Sequence, residues 1–417
     1  MTMLMLGFIA STLLFINCIC NVMSSQFVEM ASDKEDQENV FYQMSKSNDK
    51  FTAKFYANVA PKVGGNTVCS PLSAHMILSL LAYGTRGKTE EELRSALYLL
   101  GDDSLTQNGF KSLSQSLNNV TGLEISLANT IYIQEGITLI PEFLSMSSEY
   151  FDSDTPRVDF KNSVESTRQI NSWVKNQTNN RIKNLLSPDA VNEWTKIIMI
   201  NAVYFKGNWE QKFDTEYTEN RPFYITKDTK RHIPTMYRKS DYAYAELEEL
   251  NARAIQLPYS NKDFSMLIIL PNEIDELQNL EENFNPGTIA STNWRSRKVE
   301  LYLPKFKVES TINLEEILQE MGIKQMFTDF ADLSGISQSP LKVGQVIQKA
   351  FIEVNEEGSE AAAATAVRVV CKRSVTRPEI FDVNRPFMFA INHKPSRIPI
   401  FVGSVRDLQT LPNREEL

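Results

Sequence analysis

Apolar residues recur at helical spacing through the first part of the chain. In residues 45–59, Phe51 and Phe55 fall on one face of a helix that the following glycine pair is expected to end. A second apolar run after Ser70 predicts a buried helix that ends at Gly84. The early part of the chain is therefore expected to be helical.

Two more helical segments are predicted from the same kind of pattern. One begins at Thr89, whose hydroxyl is expected to cap the helix while Glu92 reaches back to it. The other begins near Ile170 and Trp173, and further helical spacing follows in residues 182–186.

Short apolar runs bounded by proline, glycine or asparagine dominate the second half and predict strands buried in sheets. These runs are residues 197–205, 254–257, 264–270, 299–303, 387–391 and 398–405. Helices that come mostly early and strands that come mostly late predict an α+β fold. Because no repeat and no Pro- or Ser-rich linker divides the chain, we expect one compact domain.

Composition narrows the class of protein. The chain of 417 residues has 43 Lys and Arg against 52 Asp and Glu, a formal net charge of −9, which argues against a nucleic-acid partner because such a partner needs a basic surface. A hydrophobic content of 42% excludes a disordered chain. A prior of about 150 residues per domain suggests two or three domains, so length and linker pattern point in different directions.

The N-terminus has the pattern of a secretory signal. No charged residue precedes Glu29, and the apolar stretch breaks at Asn17, short of the roughly 20 apolar residues of a membrane span. We predict a signal peptide in residues 1–25, cleaved between Cys20 and Ser25, a secreted, extracellular product and no membrane partner. Because this stretch has no Lys or Arg, an N-terminal anchor or a retained leader are the alternatives.

Downstream of the leader we predict an acidic, mobile segment over residues 26–44 and one domain over residues 45–410. Loss of the leader leaves two cysteines, Cys69 and Cys371, which are expected to be unpaired because a chain of this length can be stabilised by its core alone. Two sequons agree with export and predict a glycoprotein. Their asparagines are Asn119 and Asn176.

No catalytic, cofactor or metal motif stands out. Gly87-Lys88-Thr89 is similar to the end of a phosphate-binding loop, but that loop needs a glycine where this chain has Ala82. None of the three histidines begins a zinc-binding motif, and the chain has no G-x-S-x-G turn. We therefore predict a protein that is not an enzyme, with no cofactor and no metal site. A catalytic triad scattered through the sequence is the alternative that residue types leave open.

The stretch from Gly358 to Asn384 lacks a clear core element. Connections longer than about 12–15 residues are uncommon in compact domains and are usually functional. No proline interrupts this one before Pro378, so its backbone N–H groups are available to a sheet, and Gly358 provides a hinge at its start.

Read as a strand, the same stretch has two different sides. One side carries no charge, and the other carries Glu360 and Arg368. The uncharged side consists of Ser359, Ala361, Ala363, Thr365, Val367 and Val369. Such a segment is able to enter a sheet with one face against the core, although an alanine run is equally typical of a helix or of a solvated linker.

Four segments carry long motifs: EEGSEAAAAT at 356–365, FDVNRPFMFAI at 381–391, NAVYFKGNW at 201–209 and NTVCSPLS at 66–73. In that order they resemble the hinge, the C-terminal signature, the strand and turn near the top of the central sheet, and the shutter region of the serpins. The hinge residues are Glu356, Glu357, Gly358, Ser359, Glu360, Ala361, Ala362, Ala363 and Ala364. The resemblance covers residues 45–407 in the family's order.

The resemblance implies the serpin fold, with three β-sheets, eight or nine helices and an exposed reactive-centre loop at about residues 356–380. It implies a suicide-substrate inhibitor: a serine protease cleaves the loop and is trapped as an acyl-enzyme when the loop inserts into the central sheet. The family's spacing from Gly358 places the scissile bond at Lys372–Arg373, with Arg373–Ser374 as the alternative. A basic residue at that position implies a trypsin-like serine protease as partner.

The resemblance also implies roles for polar residues at the breach, where the loop enters the sheet, and at the shutter below it. These positions are Lys305, Trp209, Asn201, Ser70, Ser73 and Gln348. Lys305 is expected to pair with Glu356. Gln348 stands where many serpins have a histidine, which removes pH sensing there but leaves a hydrogen bond to Asn201 available.

Activation by heparin is not expected, because the segment corresponding to the family's heparin-binding helix, residues 104–119, has Lys111 as its one basic residue. A second basic cluster around Arg297 and Lys298 is interpreted as a solvated face, with a glycosaminoglycan site as the alternative. We expect a monomer, and leave open an intermolecular disulfide through Cys371. The alternative function is that of a non-inhibitory serpin acting as a ligand carrier or chaperone.

Overall fold

The computed structural model describes residues 39–118, 120–358 and 377–409. Within these ranges the chain forms nine α-helices. They are α1 (39–63), α2 (Pro71–Tyr83), α3 (Gly87–Ala96), α4 (Asp103–Asn118), α5 (Pro141–Phe151), α6 (Ser163–Gln177), α7 (Leu277–Asn283), α8 (Pro286–Ala290) and α9 (Glu315–Glu320). None of them is long and apolar enough to cross a membrane.

The same ranges contain fourteen β-strands. They are β1 (Thr67–Cys69), β2 (Leu123–Gln134), β3 (Arg157–Val158), β4 (Ile197–Gly207), β5 (Glu219–Tyr224), β6 (Lys230–Leu247), β7 (Ala252–Pro258), β8 (Phe264–Pro271), β9 (Arg295–Pro304), β10 (Phe306–Asn313), β11 (Gln345–Val354), β12 (Glu379–Asp382), β13 (Phe387–His393) and β14 (Ile398–Val405).

A five-stranded sheet forms the centre of the molecule, in the order β10-β11-β4-β2-β3. Its strand β4 is apolar on both faces, as the continuous run in the sequence predicts. Helix α6 packs Ile170 and Val174 on one face, against Ile198 and Ile200. The opposite face joins the main core of the molecule, so the sheet is covered on both sides.

Strands β4 and β11 lie side by side in parallel, from Ile198 opposite Gln345 to Phe205 opposite Ile352. Their outer neighbours, β2 and β10, run antiparallel to them. A parallel pair in the middle of an otherwise mostly antiparallel sheet is slightly less stable per residue than an antiparallel one.

The second sheet has nine strands among the described residues, in the order β1-β14-β13-β8-β7-β6-β9-β12, with β5 paired to β6. Counted by hydrogen bonds, the described strands therefore form two sheets and not the three that the resemblance implies. The reason is β6, which has 18 residues and pairs with β5, β7 and β9 along its length. It joins what would otherwise be two separate sheets.

Helix α2 illustrates how local sequence sets the scaffold. Ser70 caps its N-terminus by accepting a hydrogen bond from the N–H of Ser73, Pro71 occupies the first turn, and Gly84 follows the last residue, as predicted. All of its residues except Tyr83 are buried. This helix is therefore a central support under the sheets.

Three sequence predictions about local structure are wrong. Residues 39–44, assigned to a mobile segment, belong to α1, and their Phe41 and Met44 are buried. The helix predicted in residues 182–186 is absent, because Asn180 and Asn184 adopt left-handed backbone conformations that interrupt it.

The third error is the cap at Thr89, which lies inside α3. Its hydroxyl accepts a hydrogen bond from the N–H of Asp332, and the carboxylate of Glu92 accepts from the N–H groups of Lys324 and Gln325. Both side chains thus tie α3 to a distant loop. The stretch after Gly358 also contains an unpredicted core strand, β12, whose Phe381 is buried.

Candidate functional site

The segment that leaves β11 is held at the upper end of the central sheet by backbone hydrogen bonds. Trp209 donates from its N–H to the carbonyl oxygen of Glu357 (3.1 Å) and from its indole Nε1 to that of Asn355 (2.9 Å). The N–H of Phe213 donates to the carbonyl oxygen of Glu356 (2.9 Å). The chain that follows β4 therefore fixes the path of the chain that follows β11.

Gly358 ends this fixed segment in a conformation and a space that only glycine suits. Its φ is +96°, in the region that side chains disfavour. A Cβ atom there would lie 2.3 Å from the carbonyl oxygen of Gly207 and 2.5 Å from the nitrogen of Trp209, both of which are backbone atoms. The glycine of the hinge motif is thus required by the packing of β11 against the end of β4.

Glu356 is almost fully buried at this point and is satisfied by two side chains. Lys305 Nζ lies 2.9 Å from Glu356 Oε2, and Thr218 Oγ1 donates to Glu356 Oε1 at 2.9 Å. Burial by itself would raise the pKa of Glu356, but the hydrogen bonds from Lys305, the backbone and Thr218 hold that pKa below its ordinary value. The carboxylate is therefore charged and tied to two neighbouring segments.

Trp209 packs beside the residues that lead to Gly358. Its side chain is buried and stacks on Tyr259, with ring centroids 4.6 Å apart. Gly207 is close to both Tyr259 and Phe205, so the end of β4 is packed tightly. The upper end of the sheet is thus a rigid frame around the hinge.

A second group of polar residues lies in the middle of the sheet, on adjacent strands. Gln348 on β11 stands directly opposite Asn201 on β4 and donates from Nε2 to Asn201 Oδ1 at 2.6 Å. It also exchanges hydrogen bonds with the backbone of Ser70, at 2.8 and 2.9 Å. Gln348 therefore links the parallel strand pair to the start of α2.

Asn129, which the sequence did not single out, completes this network. Asn129 lies on β2, directly opposite Asn201 of β4. Its side-chain oxygen accepts hydrogen bonds from the Asn201 amide and from Ser73 Oγ (3.0 Å). Ser70 Oγ donates to the carbonyl oxygen of Ile400 (2.6 Å). These groups are buried, and their donors and acceptors are paired mostly with one another. Separating β4 from β11 would break the hydrogen bond between Gln348 and Asn201.

Several predicted site residues lie outside the described residues. They are the hinge residues Ser359, Glu360, Ala361, Ala362, Ala363 and Ala364, the loop residues Cys371, Lys372, Arg373 and Ser374, and the sequon residue Asn119. The other sequon residue, Asn176, is exposed on α6. Cys69 is buried, and burial raises the pKa of its thiol, as expected for an inert packing residue.

The two groups of polar residues lie at the end and in the middle of the parallel pair of β4 and β11. Strand β11 leads directly to Gly358, and its parallel neighbour β4 is hydrogen-bonded to it. A chain that folded back after Gly358 would run antiparallel to both strands at once.

The chain belongs to the serpin family: residues 46–408 match the family model described as "Serpin (serine protease inhibitor)". It is similar to alaserpin of Manduca sexta, with 41% identity over 87% of this chain and 93% of that protein. It is also similar to antitrypsin of Bombyx mori, with 38% identity over 84% of this chain and 90% of that protein. Protease inhibition, rather than catalysis, is the activity for which this family is named.

The solved structures agree with this assignment. The crystal structure of Serpin48, described as a highly specific serpin in the insect Tenebrio molitor, has a TM-score of 0.80 and 32% identity, and the match covers 88% of this chain and 99% of that one. The resemblance read from four sequence motifs and the predicted α+β serpin fold are thus confirmed.

Proposed function

We propose that this protein is a secreted suicide-substrate inhibitor of trypsin-like serine proteases, with its reactive bond at Lys372–Arg373. The observation that carries the proposal is the parallel pair of β4 and β11, with the reactive loop continuing from β11 through Gly358. This relation gives the cleaved loop a place to insert.

Insertion suits the sequence of the loop. Antiparallel pairing with β4 on one side and β11 on the other would use the backbone donors between Ser359 and Arg377, because no proline precedes Pro378. The side with Ala361 and Ala363 would face the core, and the side with Glu360 would face solvent. Small side chains allow fast insertion, and speed matters because insertion competes with deacylation.

Trapping begins with acylation of the protease, which comes before the loop inserts. The protease serine attacks the carbonyl carbon of Lys372, an ester forms, and the amide bond to Arg373 breaks with protonation of the new amine. The loop then carries the ester-linked protease with it as it inserts. Displacement of the bound protease prevents the water attack that would release it.

The breach and shutter residues would act as the gate for insertion. Opening the sheet separates Gln348 from Asn201, and passage of the loop beyond Gly358 strains the pair of Lys305 and Glu356. These contacts keep the loop out before cleavage. In this proposal the two contacts stabilise the uncleaved state only moderately, so the hydrogen bonds of the inserted loop are able to replace them.

A basic residue at the scissile bond supports a trypsin-like target, since trypsin-like pockets have a carboxylate at their base. Relatives of the same 38% identity are named antitrypsin and antichymotrypsin-2, so this choice rests on the residue at the bond. We further propose a leader in residues 1–25, glycans at Asn119 and Asn176, a monomeric product, and no activation by heparin. The exposure of Asn176 supports its use as a glycan site.

Incubation with trypsin tests the inhibitory function. We expect a complex that survives boiling in SDS. We also expect a released C-terminal fragment whose mass corresponds to a chain that begins at Arg373. A fragment that starts at Ser374 would instead place the reactive bond one residue later. Lys372→Ala should abolish complex formation with trypsin, whereas Ser374→Ala is the matched control and should not.

Two results would contradict the proposal. Complete cleavage of the loop by trypsin with no SDS-stable complex would show a substrate and not an inhibitor. A complex with chymotrypsin but not with trypsin would keep the inhibitor and overturn its specificity. Mass spectrometry of the protein secreted from insect cells should find an N-terminus between residues 21 and 26, and a retained Met1 would refute the leader.

A further inference from the structure

Tyr217 is the most exposed of the tyrosines that the structure describes, with 56% of its surface open to solvent. It lies in the connection between β4 and β5, at the last position of a 3₁₀ turn, Thr215–Tyr217. The residues on either side of the turn, Asp214 and Thr218, have extended backbones. The turn therefore presents the phenol ring to solvent between two extended pieces of chain.

The sequence around Tyr217 is acidic. Asp214, Glu216 and Glu219 lie within three positions of it, and no Lys or Arg does. All three acidic residues are exposed. The carboxylate of Asp214 accepts a hydrogen bond from the N–H of Glu216 at 3.0 Å, which keeps this charge at the turn. A basic enzyme cleft is complementary to such a segment.

Tyr150 has a similar sequence environment but a different place in the fold. Glu149 and Asp152 lie within three positions of it. Its ring is half-buried at the end of α5, and Lys111 Nζ lies over it, 5.2 Å from the ring centroid. A segment fixed in a helix, with a cation on the ring, does not offer its hydroxyl to an enzyme in the way that Tyr217 does.

The remaining comparisons separate acidity from exposure. Tyr244 has Asp241 and Glu246 within three positions, but it is 3% exposed. Tyr42 is 43% exposed, but no acidic residue lies within three positions of it. Among the described tyrosines, an exposed ring and an acidic environment therefore coincide at Tyr217 alone.

We propose that the hydroxyl of Tyr217 is a sulfation site, modified by a tyrosylprotein sulfotransferase that recognises the surrounding carboxylates. The proposal rests on the secretion proposed above, because enzymes of this kind act on proteins that pass through the secretory pathway. It adds a covalent modification that protease inhibition does not require.

The sulfate donor is a nucleotide-activated sulfate, a mixed anhydride of phosphate and sulfate. The phenol oxygen of Tyr217 attacks the sulfur atom, a new S–O bond forms, and the S–O bond to the phosphate breaks. The nucleotide phosphate leaves, and the phenolic proton passes to a base of the transferase. The oxidation state of sulfur does not change, so the transfer needs no oxidant or reductant.

The modification would place a permanent negative charge beside the breach. Thr218, the next residue in the chain, donates to Glu356 at 2.9 Å. The ring of Tyr217 itself packs edge-on against Tyr237, with ring centroids 6.3 Å apart. Sulfation would therefore add charge at this end of the molecule and leave the contacts of Glu356 in place.

The full chain made in bacteria, which do not sulfate tyrosine, tests the site directly. Incubated in its folded state with a tyrosylprotein sulfotransferase and the activated sulfate, it should accept one sulfate, on the peptide that contains Tyr217. Tyr217→Phe should accept none, and Tyr150→Phe, the matched control, should accept as much as the unmodified chain. No transfer to the unmodified chain, or equal transfer to Tyr217→Phe, would overturn the proposal.

Phe keeps the ring that packs on Tyr237, so the thermal unfolding midpoints of the three proteins should agree. A loss of transfer in Tyr217→Phe then reports the missing hydroxyl and not a change of fold.

Protein secreted from insect cells provides the second measurement. By mass spectrometry, Tyr217 should carry one SO3 group that alkaline phosphatase does not remove and that chlorate, which blocks sulfate activation, prevents. A group that the phosphatase removes would show phosphorylation and overturn the proposal. An unmodified Tyr217 in a chain that has lost its leader would overturn sulfation while leaving secretion intact. A retained Met1 would refute secretion, whereas transfer to Tyr217 in the first experiment would still support the acceptor site.

Discussion

Gly358 shows most directly how one residue serves the hinge. Its positive φ and the backbone atoms of Gly207 and Trp209 each disfavour a side chain, for separate reasons. Gly136 has a similar φ of +87° but open space around it. A side chain at Gly136 would therefore meet only the unfavourable φ, whereas one at Gly358 would also clash with backbone atoms.

We predict that Gly358→Ala lowers the free energy of unfolding by clearly more than Gly136→Ala. A disfavoured φ costs about 1–3 kcal/mol at either position, and only at 358 must backbone also move. Thermal unfolding followed by circular dichroism measures the difference. Equal shifts of the unfolding midpoint in the two variants would show that close packing at the hinge is unimportant.

The pair of Lys305 and Glu356 is the second feature at this scale. We predict that Lys305→Gln destabilises the native protein by about 1–3 kcal/mol, because it leaves a mostly buried carboxylate without its cation. Lys62→Gln, which breaks pairs with the exposed Glu316 and Glu320, should change stability by less than about 1 kcal/mol.

Acidification should affect the same pair. The pKa of Glu356 is lower in the folded protein than its ordinary value of 4.5, so its stabilising contribution is complete above that pH and is lost as pH falls through the lower, folded pKa. At pH values below about 4.5, the thermal unfolding midpoint of the unmodified protein should therefore decrease with pH more steeply than that of Lys305→Gln. Parallel curves for the two proteins would contradict this account.

At the scale of the element, the sequence of the proposed reactive loop alternates between positions without charge and positions that carry charge. We predict that Ala363→Arg converts the inhibitor into a substrate, because a charge would have to enter the core side during insertion. Ala362→Arg places the same charge on the solvent side and should retain complex formation. The ratio of SDS-stable complex to cleaved protein, measured with trypsin, distinguishes them, and the reverse result would mean that the strand enters in the other register.

The elements themselves divide by how local their causes are. Helix α2 follows from its N-cap Ser70, from Pro71 and from an apolar run, and those signals lie in the helix or directly before it. The predicted helix cap at Thr89 and Glu92 is wrong because the partners of these side chains are not local. Their side chains bond to residues more than 200 positions away, and no local pattern records such partners.

For the whole molecule, the proposed insertion between β4 and β11 implies that the cleaved protein is more stable than the uncleaved one. We predict that cleavage by trypsin raises the thermal unfolding midpoint by about ten degrees or more, since an inserted strand adds hydrogen bonds that together contribute on the order of 10 kcal/mol. Cleaved Ala363→Arg should show little increase. A cleaved protein that unfolds at the native midpoint would show that the loop does not insert.

The sequence by itself determined the early helices, most of the core strands and the membership of the serpin family, because periodicity and contiguous motifs depend only on neighbouring residues. It also marked Gly358, Glu356, Lys305, Asn201 and Gln348 through resemblance. Tertiary structure alone decided that Asn129 joins the shutter, that β6 merges two sheets, and that Asp49 Oδ1 is buried without a hydrogen-bond partner among the described residues. These features depend on which distant segments meet and on how much solvent they exclude, and a linear pattern does not contain that information.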